Sequence, residues 1–174
     1  EEDLIEEIVR LYGYDNIPTR SPRAQLSMLP QTEASRPISK IRQLLADRGF
    51  QEVVNFAFVE EPWEADFSGN TRPIRLANPI ASQMSVMRST LISGLIANVS
   101  TNLKRKQSRV RVFETGRCFF RQDPGSPVAG FYQPLKVAGL AYGSAAPEQW
   151  GQPQRNVDFF DIKAEVEFLL APYS

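Results

Sequence analysis

The chain has 174 residues, 19.6 kDa, and twenty basic against twenty acidic side chains, with no histidine and one cysteine. Its length and 42% hydrophobic content suit a domain with a buried core and exclude wholesale disorder. The missing histidine excludes Ser-His-Asp and Cys-His catalysis and histidine-ligated metals, lone Cys118 excludes a disulfide or thiolate zinc site, and zero net charge removes any global field for nucleic acid or membrane.

In chain order, Leu4, Ile5, Ile8, Val9 and Leu11 recur at helical spacing, with Gly13 at the C-terminal glycine position. Residues 14–37 lack periodicity and hold Pro18, Pro22, Pro30 and Pro37, which reads as an extended linker. Ser35 is placed to cap a helix carrying Ile38, Ile41, Leu44 and Leu45 and ended by Gly49. Residues 52–59 (EVVNFAFV) are β-branched and aromatic and predict a strand. A short acidic helix over 60–67 and a brief strand over 74–77 follow.

The longest helix spans 90–104, with Leu91, Leu95, Val99 and Leu103 every four residues and Ile92 and Ile96 widening the stripe. Ser89 or Thr90 would cap it, and Lys104, Arg105 and Lys106 oppose the dipole at its far end. Strands over 110–114 and 118–121 flank Thr115-Gly116-Arg117 as a hairpin, and a Pro/Gly-rich loop over 122–134 leads to a strand over 135–142. A final helix over 161–170 turns Ile162, Val166, Leu169 and Leu170 inward. Consecutive strands with helices segregated around them predict an α+β domain on an antiparallel sheet. The sequence lacks the order of a signal peptide, and no apolar run approaches the roughly 20 residues that span a bilayer. The chain reads as a piece of a longer cytoplasmic polypeptide.

Three constellations could carry chemistry. Asp3, Glu6 and Glu7 fall on one helix face, where two readings fit: a solvated acidic face near a helix N-terminus, which the spacing alone favours, or carboxylates around a hard cation such as Mg²⁺. Lys104, Arg105, Lys106 and Arg109 form a basic patch suited to phosphate, without interleaved stacking aromatics. Arg88 and the arginines of the predicted hairpin, Arg109, Arg111 and Arg117, would grip a phosphate or carboxylate, or belong to an ordinary edge hairpin. Cys118 has no histidine to activate it and reads as a small core residue. There is no GxxxxGK[ST], GxGxxG or GxSxG motif.

Taken together, Met87-Arg88-Ser89-Thr90-Leu91-Ile92-Ser93-Gly94-Leu95, then Val112-Phe113-Glu114-Thr115-Gly116-Arg117-Cys118-Phe119, then 158–167 (DFFDIKAEVE) resemble the β subunits of bacterial phenylalanine–tRNA ligases. The opening 2–18 (EDLIEEIVRLYGYDNIP) is similar to the same family. The resemblance implies a class II aminoacyl-tRNA synthetase-like antiparallel sheet flanked by helices. It divides the chain into the last helix of a preceding small domain (1–18), a linker (19–37) and a synthetase-like module (38–174) that stops before motif 3. It further implies a catalytically inert scaffold. It also implies an α subunit that binds ATP and carries the active site, an α₂β₂ heterotetramer that acts on tRNA, and no membrane.

In that family Asp3, Glu6 and Glu7 correspond to Mg²⁺ ligands, with a further aspartate upstream, so the site here is incomplete. The strand signature lacks the arginine–glutamate arrangement of an active motif 2. An isolated piece is expected to expose a partner-facing apolar patch and to self-associate through it. Two alternatives stay open: an active adenylate-forming domain using Arg88, Arg111 or Arg117, and a tRNA-binding module using Lys104, Arg105, Lys106 and Arg109.

Overall fold

A computed structural model describes residues 2–21, 36–121 and 130–171. Its contacts fall into two units, 1–35 and 36–174. The predicted Ser35 cap, most of the linker and residues 122–129 of the Pro/Gly-rich loop lie outside the described residues.

The first unit holds helix α1 (Glu2–Tyr12) and a 3₁₀ turn, Tyr14–Asn16. Gly13 ends α1 at φ +91°, a left-handed conformation that glycine adopts at little cost, and its N–H donates to the Val9 carbonyl at 2.9 Å. Leu4, Ile8 and Leu11 leave the apolar stripe of α1 exposed.

The second unit is built around strand β4. Its elements in order are α2 (Ile38–Asp47), β1 (Gln51–Glu52), β2 (Phe58–Val59), α3 (Glu61–Ser68), β3 (Val86–Met87), α4 (Ile92–Lys104), β4 (Arg109–Arg117), β5 (Phe120–Arg121), β6 (Phe131–Tyr132), β7 (Leu135–Gly143) and α5 (Phe159–Leu170). β4 and β7 pair antiparallel over nine residues, from Arg109↔Gly143 to Arg117↔Leu135, and β1 adds a short parallel edge on the other side of β4. This is an α+β architecture, antiparallel along its long pair, with helices on both faces.

Alternation along β4 decides what each face buries. Val110 and Val112 face Leu95 and Val99 of α4, joined by Ala138 and Leu140 of β7. Phe113 faces the opposite way, onto Leu45 and Phe50, where Ile41, Ile162 and Leu169 close a second cluster. Truncating Leu95, fully buried, removes the centre of the first cluster and costs about 2–5 kcal/mol.

The structure corrects several sequence expectations, among them the inward placement of Val166 and Leu170, both of which are exposed on α5 while Ile162 and Leu169 pack inward. Residues 115–117 are not a turn: β4 runs through them, and β5 pairs with β6 instead of folding back on β4. The predicted strand over 52–59 is two short strands, β1 and β2, separated by five residues, of which Val53 still donates its N–H to the Phe113 carbonyl of β4 at 2.8 Å. Residues 74–77 contribute only an isolated bridge, Arg75↔Val86. At α4 the N-cap position is Leu91 without a side-chain cap, because the Ser89 hydroxyl is engaged elsewhere; Thr90 Oγ1 accepts from the Ile92 N–H at 3.2 Å.

Candidate functional site

The most built polar feature of the second unit lies between β3, α3, α4 and the middle of β4. Arg88 immediately follows β3 and is buried, as is Glu114 on the α4-facing side of β4; Arg88 Nη1 meets Glu114 Oε1 at 2.6 Å. Arg88 Nε donates to the Arg117 carbonyl at 3.1 Å, and Nη1 also reaches the Phe56 carbonyl at 3.5 Å. Glu114 is held from its other side by Asn55, whose backbone N–H donates at 3.3 Å and whose side-chain amide donates at 2.7 Å. Asn98 of α4 donates to Asn55 Oδ1 at 2.8 Å, which fixes the orientation of that amide.

Gly116 is what makes room for this arrangement. A Cβ at that position would overlap Arg88 Nη2, so a side chain on β4 here would evict the guanidinium. Beside the pair, Glu64 of α3 is fully buried and its Oε2 accepts from the Ser89 N–H at 3.0 Å and from the Ser89 hydroxyl. Ser68 and Asn70 add longer contacts to the same oxygen. Among the described residues Glu64 Oε1, Ser93 Oγ and Arg111 Nε are buried without a hydrogen-bond partner.

The side chains of the other arginines predicted on this strand lie away from the Arg88 guanidinium. Arg109, Arg111 and Arg117 share the opposite face of β4. Arg111 donates to Glu165 of α5 at 2.8 Å and lies 4.3 Å from the Phe50 ring, so it clamps α5 onto the sheet. Arg48 grips the same carboxylate at 2.7 Å, and that interaction holds its guanidinium above its ordinary pKa. Arg109 Nε donates to the Ser144 carbonyl at 3.1 Å, and desolvation by burial, then repulsion from Arg111, pushes its pKa down. Arg117 Nη1 is bonded to the Gln133 carbonyl at 2.7 Å.

Arg88, Arg109 and Arg111 are therefore used internally, whereas Arg117 is exposed with one bond to a neighbouring carbonyl. Lys104, Arg105 and Lys106 differ: all three are exposed at the C-terminal end of α4, with Lys106 at φ +63°. Cys118 is fully buried, and burial pushes its thiol pKa up against the opposing pull of Lys136 and Arg88.

In the first unit, Asp3, Glu6 and Glu7 lie on one face of α1, and Glu7 Oε2 accepts from Arg10 Nη2 at 2.6 Å. Among the described residues no group of three or more His, Cys, Asp or Glu side chains is arranged to hold a metal ion. The three carboxylates by themselves do not make a magnesium cage.

Sequence reasoning missed Glu64, Asn55 and Glu165. Asn55 carries a readable signal, a lone amide inside EVVNFAFV, where an interior polar group needs partners. Glu64 and Glu165 have no such signal, because each sits among other acids on an amphipathic helix.

A family model described as the phenylalanyl tRNA synthetase beta chain CLM domain matches residues 17–174. The chain belongs to that family. The phenylalanine–tRNA ligase beta subunit of Dechloromonas aromatica (strain RCB) is 66% identical over 175 residues, covering 99% of this chain and 22% of the relative. That of Aromatoleum aromaticum is 64% identical over 172 residues, covering 99% and 22%. The chain thus spans about a fifth of the length of these curated relatives. Among solved structures, a pyrrolysyl tRNA synthetase of Desulfitobacterium hafniense is similar over 63% of this chain and 36% of its own, at 17% identity and a TM-score of 0.42. Among the described residues of this CLM-domain chain, no helix is long and apolar enough to cross a membrane.

Proposed function

We propose that this chain is a structural module of a phenylalanine–tRNA ligase beta subunit, cytoplasmic, and without catalytic chemistry of its own. In this reading the intact enzyme attaches phenylalanine to its tRNA using ATP. The alpha subunit binds the nucleotide, and the module packs on it within an α₂β₂ assembly. Residues 1–18 close a preceding small domain, 19–37 link, and 38–174 form the class II synthetase-like module.

The supporting observation is the closure of the Arg88 network. An arginine that stabilises a transferring phosphate must present free N–H groups in an open site. Arg88 is instead buried, with its guanidinium committed to Glu114 and to backbone carbonyls. This disfavours the adenylate-forming alternative. Amino-acid-dependent pyrophosphate exchange by the isolated chain is expected at background, and the intact beta subunit is expected to co-purify with an alpha subunit that activates phenylalanine. Exchange by the chain alone, or failure to co-purify, overturns the reading.

A secondary reading, contact with tRNA phosphates, is supported at Lys104, Arg105 and Lys106, since these cations are exposed while Arg109 and Arg111 are engaged internally. Asp3, Glu6 and Glu7 are proposed as magnesium-facing carboxylates of the intact subunit only. They share a face, but ligands beyond these three are required, and no step depends on the ion.

A further inference from the structure

A polar cavity of about 290 Å³ lies in the segment that joins β7 to α5, lined by Ser144, Glu148, Gln149, Gln152, Gln154 and Arg155. Its volume sits at the lower edge of the roughly 300–1,000 Å³ of ligand sites, enough for one planar heterocycle. Among the described residues the side chains of Glu148, Gln149, Gln152 and Gln154 make no hydrogen bond or ion pair, so their amides and carboxylate are available to a ligand. Arg155 is committed: its two Nη groups bond both oxygens of Asp161 at 2.6 Å, and the two charges cancel. Glu148 then leaves the cavity with one negative charge, which repels a phosphate and favours a neutral group carrying N–H donors. Trp150 stands in the same loop, between Gln149 and Gln152, with its indole fully exposed. A free indole beside a polar cavity offers a stacking surface to a base whose edge enters the cavity.

Close backbone packing joins this cavity to the basic end of α4. Arg109 pairs with Gly143 at the end of the β4–β7 ladder, and its Nε and Nη2 bond the Ser144 and Ala145 carbonyls at 3.1 and 3.5 Å. A Cβ at position 143 would overlap the Ser108 carbonyl, so glycine lets the two segments touch. Three residues of chain, one strand spacing and one further residue put the Lys106 and Ser144 Cα atoms within roughly 20 Å. The two places ask for opposite chemistry. Lys104, Arg105 and Lys106 attract anions, whereas the cavity takes neutral hydrogen-bond donors. A single RNA strand carries both, an anionic backbone and uncharged bases with exocyclic amines. The basic run has no stacking aromatic of its own, and Trp150 supplies one from a distant part of the sequence.

Resting on the reading of Lys104, Arg105 and Lys106 as tRNA-contacting cations, we propose that the segment between β7 and α5 is a pocket for one unpaired RNA base with an exocyclic amine. The base stacks on Trp150, its amine donates to Glu148, and the glutamine amides bond the rest of its edge. Phosphates of the same strand meet the end of α4.

The test uses the full-length beta subunit assembled with its alpha subunit, and transcribed phenylalanine tRNA as the probe. Trp150→Ala is expected to weaken tRNA binding about fivefold at every salt concentration, with the slope of log K against log salt unchanged, because a ring and not a charge is removed. A photo-crosslinking benzoylphenylalanine at position 150 is expected to capture the tRNA at an unpaired base. Wild-type affinity in Trp150→Ala overturns the pocket alone. So do crosslinks that reach only protein, only a base-paired stem, or nothing. Replacing Lys104, Arg105 and Lys106 together by alanine is expected to make the salt slope shallower by about 2–3. A wild-type slope in that triple variant overturns the reading of these cations on which the pocket rests.

Discussion

Gly116 occupies a position on β4 where a side chain would meet the Arg88 guanidinium. Gly116→Ala must displace Arg88 from Glu114 or shift the strand, and is expected to cost about 2–4 kcal/mol, read from the denaturant midpoint. Arg88→Met leaves Glu114 buried without its cation and is expected to cost about 3–5 kcal/mol. The double variant Arg88→Met with Glu114→Leu is expected to lose less than either single change, because no unpaired charge remains. A double variant as damaged as the single would show that the backbone carbonyls bonded by Arg88, and not its charge, hold this region. At Cys118 burial dominates over two nearby cations and keeps the sulfur a thiol, so aromatic disulfide reagents are expected to react with it only after unfolding. The sequence marks Cys118 as a core residue through the missing histidine. The purpose of Gly116 is not legible there, since a glycine between strand-like runs reads equally well as a turn.

Helix α5 shows the same limit at the level of an element. Its apolar residues predict a helix over 161–170, but it begins at Phe159 because Asp158 caps it: Asp158 Oδ1 accepts from the Phe160 and Asp161 N–H groups at 2.8 and 3.1 Å, and Asp161 accepts from the Asp158 N–H at 2.9 Å. Reciprocal capping by Asp-x-x-Asp follows the Ser-x-x-Glu logic and is visible in the sequence once that logic is applied to aspartate. What the sequence does not show is Arg155, folded back to bond both oxygens of Asp161 at 2.6 Å. That bond, with the capping bond from Asp158, holds the Asp161 carboxyl well below the usual carboxylate range. A carboxyl depressed in the folded state adds stability above its unfolded pKa of about 3.9, and this is lost as pH falls below that value. Arg155→Ala is expected to lower the melting temperature slightly at pH 7, where the contribution is fully present, and not at all in strong acid, so the acid limb below about pH 4 flattens by that same amount, which is small because the pair is exposed. The mistaken hairpin at 115–117 has a related origin: local signals mark where a strand weakens, whereas the nine-residue pairing with β7 is a non-local fact.

At the scale of the whole molecule, zero net charge coexists with a cluster of exposed cations among the described residues. Arg88, Arg109 and Arg111 are engaged within the fold, whereas Lys104, Arg105 and Lys106 stand exposed together at the end of α4. A helix C-terminus carries partial negative charge, so these cations are stabilised where they stand whether or not RNA is present. If they contact tRNA, the electrostatic term is bounded by their number. Three neutralised phosphates give a slope of log K against log salt of about −2 to −3, far shallower than for a protein with a broad basic face. Binding of tRNA by the chain is therefore expected to be weak and nearly lost at physiological salt. Replacing Lys104, Arg105 and Lys106 together by alanine is expected to flatten the salt dependence almost completely, whereas Arg109→Ala leaves it unchanged, because Arg109 is turned toward the Ser144 carbonyl. A titration in which Arg109→Ala flattens the slope and the triple variant does not would move the RNA contact off the end of α4 and onto the sheet.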